Sequence, residues 1–243
     1  MDGFELAARF SLVTNRRNFC GPADAAPALY RAITEGTGRE EVERMLSRFE
    51  ALYPYLEAIA EKHGLRPFDR AVVEAYWIGN ELLDAFGRRD FVRILDALVA
   101  RGLPAFVARE LAAALPEEPL PHHLFHVGFV GVGAVTGHVE TTLPNMESCR
   151  PAAAEVTGVG RDRLDVRGPS LEVKDGALGF GAPRVRTVTY DPRVLPGVEV
   201  GDPVALHWDW PAVRLTPEMH RQLNVYSDRA LTAICSARRA AAP

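Results

Sequence analysis

Leu171-Glu172-Val173-Lys174-Asp175-Gly176-Ala177-Leu178 decides how the second half of this chain is read. Apolar and polar residues alternate through Leu171-Glu172-Val173, and Asp-Gly suits the two left-handed positions of a tight hairpin turn. The same pattern continues on both sides. Val156, Leu164, Val166, Leu178, Val185, Val188, Val200, Val204 and Leu206 stand in short runs. Gly158, Gly160, Gly168-Pro169, Pro196-Gly197 and Gly201-Asp202 punctuate them. This spacing predicts about five short strands closed into a small barrel over residues 149–213, because closure hides the polar edges that short sheets expose. Thr216-Pro217-Glu218 then opens a terminal helix, with Thr216 as cap and Pro217 at the first position.

Upstream, the apolar spacing changes to threes and fours. Val42, Met45, Leu46, Phe49, Leu52, Tyr53, Leu56 and Ile59 form one helical stripe, which Pro54 bends or divides. Gly64 and Pro67 stop it. A second helix is expected over 69–86, a third over 91–99 and a fourth over 104–115, so helices run from about residue 23 to 115. Residues 116–121 hold three prolines and read as a linker. Gly128, Gly131, Gly133 and Gly137 follow, a density that argues against a long stable helix and for an extended or looped segment. The expected chain is α+β. A helical domain spans 1–118 and a His/Gly-rich connecting segment 119–148. A small β-barrel with a C-terminal helix fills 149–235, and the last residues, 236–243, are expected to fray.

The 243 residues are 47% hydrophobic and 25% charged, a globular mixture. A formal charge of -4, from 28 basic and 32 acidic side chains, excludes a general grip on nucleic acid. No apolar run is long enough to span a bilayer, and the start lacks the basic-then-apolar order of a signal peptide. Three widely spaced cysteines do not make a disulfide framework. These features together predict a cytoplasmic protein.

Residues able to carry chemistry are Cys20, Cys149, His207, His138 and the cluster His122, His123 and His126. No closely spaced Cys pair marks a structural zinc site. His122 and His126 share a face in either a helix or a strand, with His123 pointing elsewhere, so spacing alone leaves the ligands open. Phosphate-loop, dinucleotide and serine-elbow motifs are absent, and nothing nearby identifies a base for Ser148. In His207-Trp208-Asp209-Trp210, read as a strand, the tryptophans face one way as anchors. His207 and Asp209 then face the other way, where a carboxylate can orient an imidazole. Glu74, Trp77 and Asn80 lie on adjoining faces of the second helix, available for packing or for a pocket wall.

Cys149-Arg150-Pro151-Ala152-Ala153-Ala154-Glu155-Val156, then Gly201-Asp202-Pro203-Val204-Ala205-Leu206-His207, then Leu215-Thr216-Pro217-Glu218, resemble the small β-barrel chaperone family that matures nickel–iron hydrogenases. The resemblance covers the C-terminal part only. It implies that Cys149 and His207 handle an iron centre together with a maturation factor or an immature metalloenzyme subunit. Cys149 lies inside the chain where that family has its cysteine at the start, Trp208-Asp209-Trp210 replaces Val-Gly-Phe, and the helical half has no counterpart. The whole chain also resembles uncharacterised bacterial proteins that share its Cys-Gly-Pro start, its Glu-Ala-Tyr-Trp-Ile-Gly-Asn segment and its His-His-x-Phe-His cluster.

Three readings follow. The first is a metal-binding accessory protein that transfers an iron centre to a partner. It uses Cys149 and His207, with His122, His123, His126 or His138 as further ligands. The second is a metal-dependent enzyme in which the helical half encloses a pocket for a small molecule. The third is a metal-free structural or interaction module. Thiolate and imidazole suit iron, zinc, copper or nickel, and iron is favoured by the resemblance alone.

Overall fold

Helices form where apolar residues recur at threes and fours. The computed structural model describes residues 1–240. Its N-terminal half contains α1 (Gly3–Arg16), α2 (Ala25–Glu35), α3 (Arg39–Leu46), α4 (Tyr53–His63), α5 (Arg70–Trp77), α6 (Arg88–Val99) and α7 (Ala105–Ala114). The sequence reading starts its helices too late and omits α1. That helix is capped by Asp2, whose carboxylate accepts from the Glu5 amide, and it buries Leu6, Phe10, Leu12 and Val13. It packs against α2, α5 and the sheet, which makes it central to the fold. Pro54 divides the stripe rather than bending it. It stands in the first turn of α4, where a missing amide is harmless. The helix expected over 69–86 breaks after Trp77, where Gly79 has φ +97° and a Cβ would lie 2.3 Å from the Tyr226 ring. A 3₁₀ turn, Glu81–Ala85, follows under an Asn80 cap.

The first part of the glycine-rich segment is helical, contrary to the extended or looped expectation, while Gly133 and Gly137 lie in turns as that expectation has it. α8 (His123–Phe125) runs into a π-helical stretch, His126–Gly131. Gly128 shows why: a Cβ there would lie 2.5 Å from Ile234, so the bare backbone lets this wide turn touch the terminal helix. α9 (Leu143–Cys149) starts at a Thr142 cap and ends on Cys149.

Five strands follow: β1 (Ala152–Val159), β2 (Arg163–Lys174), β3 (Ala177–Thr189), β4 (Pro203–His207) and β5 (Trp210–Arg214). Asp175 and Gly176 take positive φ, +52° and +76°, and turn β2 into β3. The sheet is antiparallel in the order β3-β2-β1-β4-β5. It is open, which corrects the expected β-barrel: β3 and β5 are edges that do not pair. The edges are managed without closure. β5 packs against α1, while β3 presents Pro183 and Arg184 to solvent. α10 (Pro217–Ala240) ends the described chain and is helical through residue 240, further than the frayed end expected.

Alternation along β4 sorts the sheet's two faces. Val204 and Leu206 join Ala152, Val156 and Val166 in a small cluster closed by Leu195 and Val198. Ala205 and Ala153 face the other way, into a core continuous with the helices and α10. His207, two residues beyond Ala205, shares that face. Among the described residues, no helix is long and apolar enough to cross a membrane.

Candidate metal centre

Three element ends converge where the helices meet the sheet. His123 opens α8, Cys149 closes α9, and His207 ends β4. One nitrogen of each imidazole and the Cys149 sulfur all lie within 4.8 Å of one another. The sulfur is 3.6 Å from His123 Nε2 and 3.9 Å from His207 Nε2. All three residues are buried, at 6%, 8% and 2% exposure. The cluster is capable of coordinating a transition-metal ion.

Hydrogen bonds behind the cluster set the imidazole protons. His207 Nδ1 is 2.7 Å from the Phe10 carbonyl, which can only accept, so Nδ1 carries the proton. Tyr76 donates its one proton to the Ala51 carbonyl at 3.1 Å. Its oxygen therefore accepts from His123 Nδ1 at 2.7 Å. Burial lowers the pKa of His207 to about 4. Burial, then the neighbouring His207, His126 and His122, pushes His123 well down. Both rings are thus neutral near pH 7, and in this tautomer each turns Nε2 toward one sulfur, with the His123 ring also within reach of the Cys149 carbonyl. Burial raises the Cys149 thiol, so without a cation it keeps its proton. A single S–H can satisfy one of two acceptors. The remaining lone pair is one that a cation could take up.

The hairpin turn beyond His207 closes the site. Trp208 and Asp209 are not in a strand: both hold left-handed backbone, φ +53° and +55°, between the paired His207 and Trp210. A tryptophan at positive φ is strained. The Trp208 amide donates to the Ser148 carbonyl, which ties the turn to the end of α9. Its ring packs on Phe19, and its indole N–H favours the Cys149 thiolate without closing a hydrogen bond. Trp77 stacks on Phe10 and lies 4.3 Å and 4.9 Å, centre to centre, from the rings of His123 and His207. All three cluster residues line a cavity of about 60 Å³ together with Ser11, Cys20, Tyr76, Trp77 and His126.

Other residues singled out from the sequence have different places. His122 is buried and caps α8, its Nδ1 accepting from the Leu124 amide. His126 bonds Tyr55 at 2.9 Å and lines the cavity outside the three-residue cluster. His138 is exposed on a turn. His123, the ring expected to face away from the other two, is the one that meets Cys149. The expectation that His207 lies on an accessible face beside Asp209 fails, because the chain turns there. Asp209 instead faces Arg186 and Ser148. Glu74 pairs with Arg70, and Asn80 caps a turn. Cys20 Sγ donates to Glu50 at 3.6 Å, and burial followed by Glu50 pushes its pKa up to about 12.

Several supports went unread in the sequence. The Phe10 carbonyl and the Tyr76 hydroxyl serve His207 and His123 from α1 and α5. Glu147 accepts from buried Arg150, from Arg186 and from the Leu171 amide, which pins the turn before Cys149 to β2. Glu147 and Arg150 flank Cys149, but a Glu/Arg pair three residues apart reads as a solvated surface pair, so the sequence carried no sign of this burial.

Fold and site together define a helical protein backed by an open sheet, with a buried Cys/His cluster capable of binding a metal. The chain belongs to the family of unknown function DUF6390, matched over residues 1–241. No curated protein and no solved structure matches it. The resemblance to hydrogenase-maturation chaperones is therefore withdrawn. The barrel it required is an open sheet, and the chain's family spans the helical half that those chaperones lack.

Proposed function

We propose that this protein is a mononuclear metalloenzyme whose ion is held by His123, Cys149 and His207 and faces a small cavity. The observation that carries this reading is the convergence of two imidazole Nε2 atoms and one thiol on a cavity wall. Three protein ligands leave a tetrahedral ion one position open, the arrangement of catalytic rather than structural sites. Nitrogen and sulfur donors suit zinc or ferrous iron, and the earlier preference for iron lapses with the resemblance behind it. His126 and Cys20 line the same wall. Delivery of the ion to a protein partner is the competing reading. Burial of all three ligands counts against it, because none stands at the surface where a partner's own ligands could meet the ion.

Metal analysis of protein purified without oxygen tests the centre. Wild type should carry about one equivalent of a transition metal, and Cys149→Ala, His207→Ala and His123→Ala should each lose most of it. Unchanged content in all three variants would sink the proposal. Slow loss to a chelator supports an enclosed catalytic ion. Rapid loss would favour delivery to a partner.

A further inference from the structure

A divalent ion bound by one thiolate and two neutral imidazoles keeps a single positive charge, and a buried charge without a partner is costly. The cavity does not supply that partner, since no Asp, Glu, Lys or Arg lines it. Its wall is mostly apolar, with Phe19, Phe49, Leu52 and Val132 prominent. Two polar groups on the same wall, the Ser11 hydroxyl and the Trp77 indole N–H, lack any hydrogen-bond partner, and a third, the Trp208 indole N–H, leans toward the Cys149 sulfur without closing a bond. Their residues are 2%, 3% and 4% exposed, so bulk water does not serve them. An indole N–H can only donate. Donors without acceptors, beside an uncompensated positive charge, call for an anion with oxygen acceptors.

Size narrows the class. At about 60 Å³ the cavity is well below the ~150 Å³ that admits benzene, so the part of an occupant that lies inside has only a few heavy atoms.

We propose that the site takes a small organic monoanion, a short-chain carboxylate, with one oxygen toward the ion and the other toward the unpartnered donors. The proposal rests on the metal reading above. A carboxylate balances the charge, supplies two coplanar acceptors, and places a short apolar tail against the phenylalanine and valine wall. Hydroxide balances the charge but leaves the apolar wall unused. A neutral amide of the same shape leaves the charge uncompensated.

The test loads the full-length protein with zinc for calorimetry and with cobalt for absorption, then titrates it with acetate and, in parallel, acetamide. Acetate should bind once per ion and at least about ten-fold tighter than acetamide, and Trp208→Phe should weaken it by about ten-fold at unchanged metal content. Trp208 sits at a strained turn, so Ser11→Ala is the second variant. It removes one oxygen from α1 and should weaken acetate in the same direction. Equal affinity for acetate and acetamide overturns the proposal. So does failure of acetate to bind the loaded protein, or acetate affinity unmoved in both variants. Failure to retain any metal is read separately by metal analysis, and it removes the centre itself as well as the anion.

Discussion

Tyr76→Phe separates a tuned ligand set from a chance meeting of buried side chains. The hydroxyl it deletes is the acceptor for His123 Nδ1–H and has no role in the cluster except through that ring. Without it, His123 has two choices. It can keep a buried N–H unpaired, at a cost of about 1–3 kcal/mol. Otherwise it can move the proton to Nε2, which blocks the lone pair that faces Cys149. Either outcome should weaken metal binding by roughly 10–100-fold, the usual effect of losing such a supporting bond. Tyr55→Phe is the control, because it removes a buried hydroxyl hydrogen-bonded to His126, which stands outside the cluster. Both variants should lose comparable thermal stability in the metal-free state. Competition against a chromogenic chelator should then show the affinity loss in Tyr76→Phe alone. Equal affinities in the two variants would refute the claim that Tyr76 sets the His123 tautomer for a metal.

Further outcomes follow from the same structure. Metal binding near pH 7 should release about one proton per ion, because the Cys149 thiol is protonated and both imidazoles are already neutral. Calorimetry in buffers of different ionisation enthalpy measures this, and release of two or more would contradict the neutral rings. Glu147→Ala should destabilise the protein by about 3 kcal/mol in denaturant titrations, because it leaves the buried Arg150 guanidinium without its counter-charge, held by the Pro169 carbonyl and the Phe180 ring. A loss well under 1 kcal/mol would mean that Arg150 finds another acceptor. In acid, burial holds His122 at about 3 and His126 at about 4, below the ordinary 6.5. The unfolded chain therefore binds more protons than the folded one as pH falls through 6.5. The stabilisation is complete above 6.5 and is lost toward 4 and 3, by up to a few kcal/mol for each ring. Urea unfolding of the metal-free protein at pH 7 and about pH 5 checks the sign, and equal midpoints would count against it.

How far the site could be read from the sequence depends on which contacts are local. The Asp175-Gly176 turn was legible because a two-residue hairpin is specified by its own dihedral angles. The stripe from Val42 to Ile59 was legible because a helix face repeats within a few residues. Closure of the sheet was not legible. Short apolar runs between turns describe strands, while closure depends on what covers the edges, and here α1 lies on β5. α1 begins at Gly3, and nothing local in Met1 to Phe10 announces that it packs on the sheet. Its backbone at Phe10 nonetheless fixes the His207 proton from 197 residues away. The histidine cluster shows the same limit at closer range. Periodicity grouped His122 with His126, because both a helix and a strand place them on one side. The structure instead spends His122 on capping α8 and lets the wide π-helical turn carry His126 to Tyr55, which leaves His123 for Cys149. A cap and a π turn shift the facing of neighbouring residues without changing the composition, so no count of intervals reports them. The Trp208-Asp209 turn is the sharpest case. Four alternating residues read as strand, yet the backbone reverses between the second and third. The reversal buries His207 and brings Trp208 over Cys149. Placing a tryptophan at positive φ is unfavourable locally, and it is stable only where the surrounding fold determines it. Local preference was overridden at the very turn that closes the candidate metal centre, which is where a functional demand on the backbone is expected to appear.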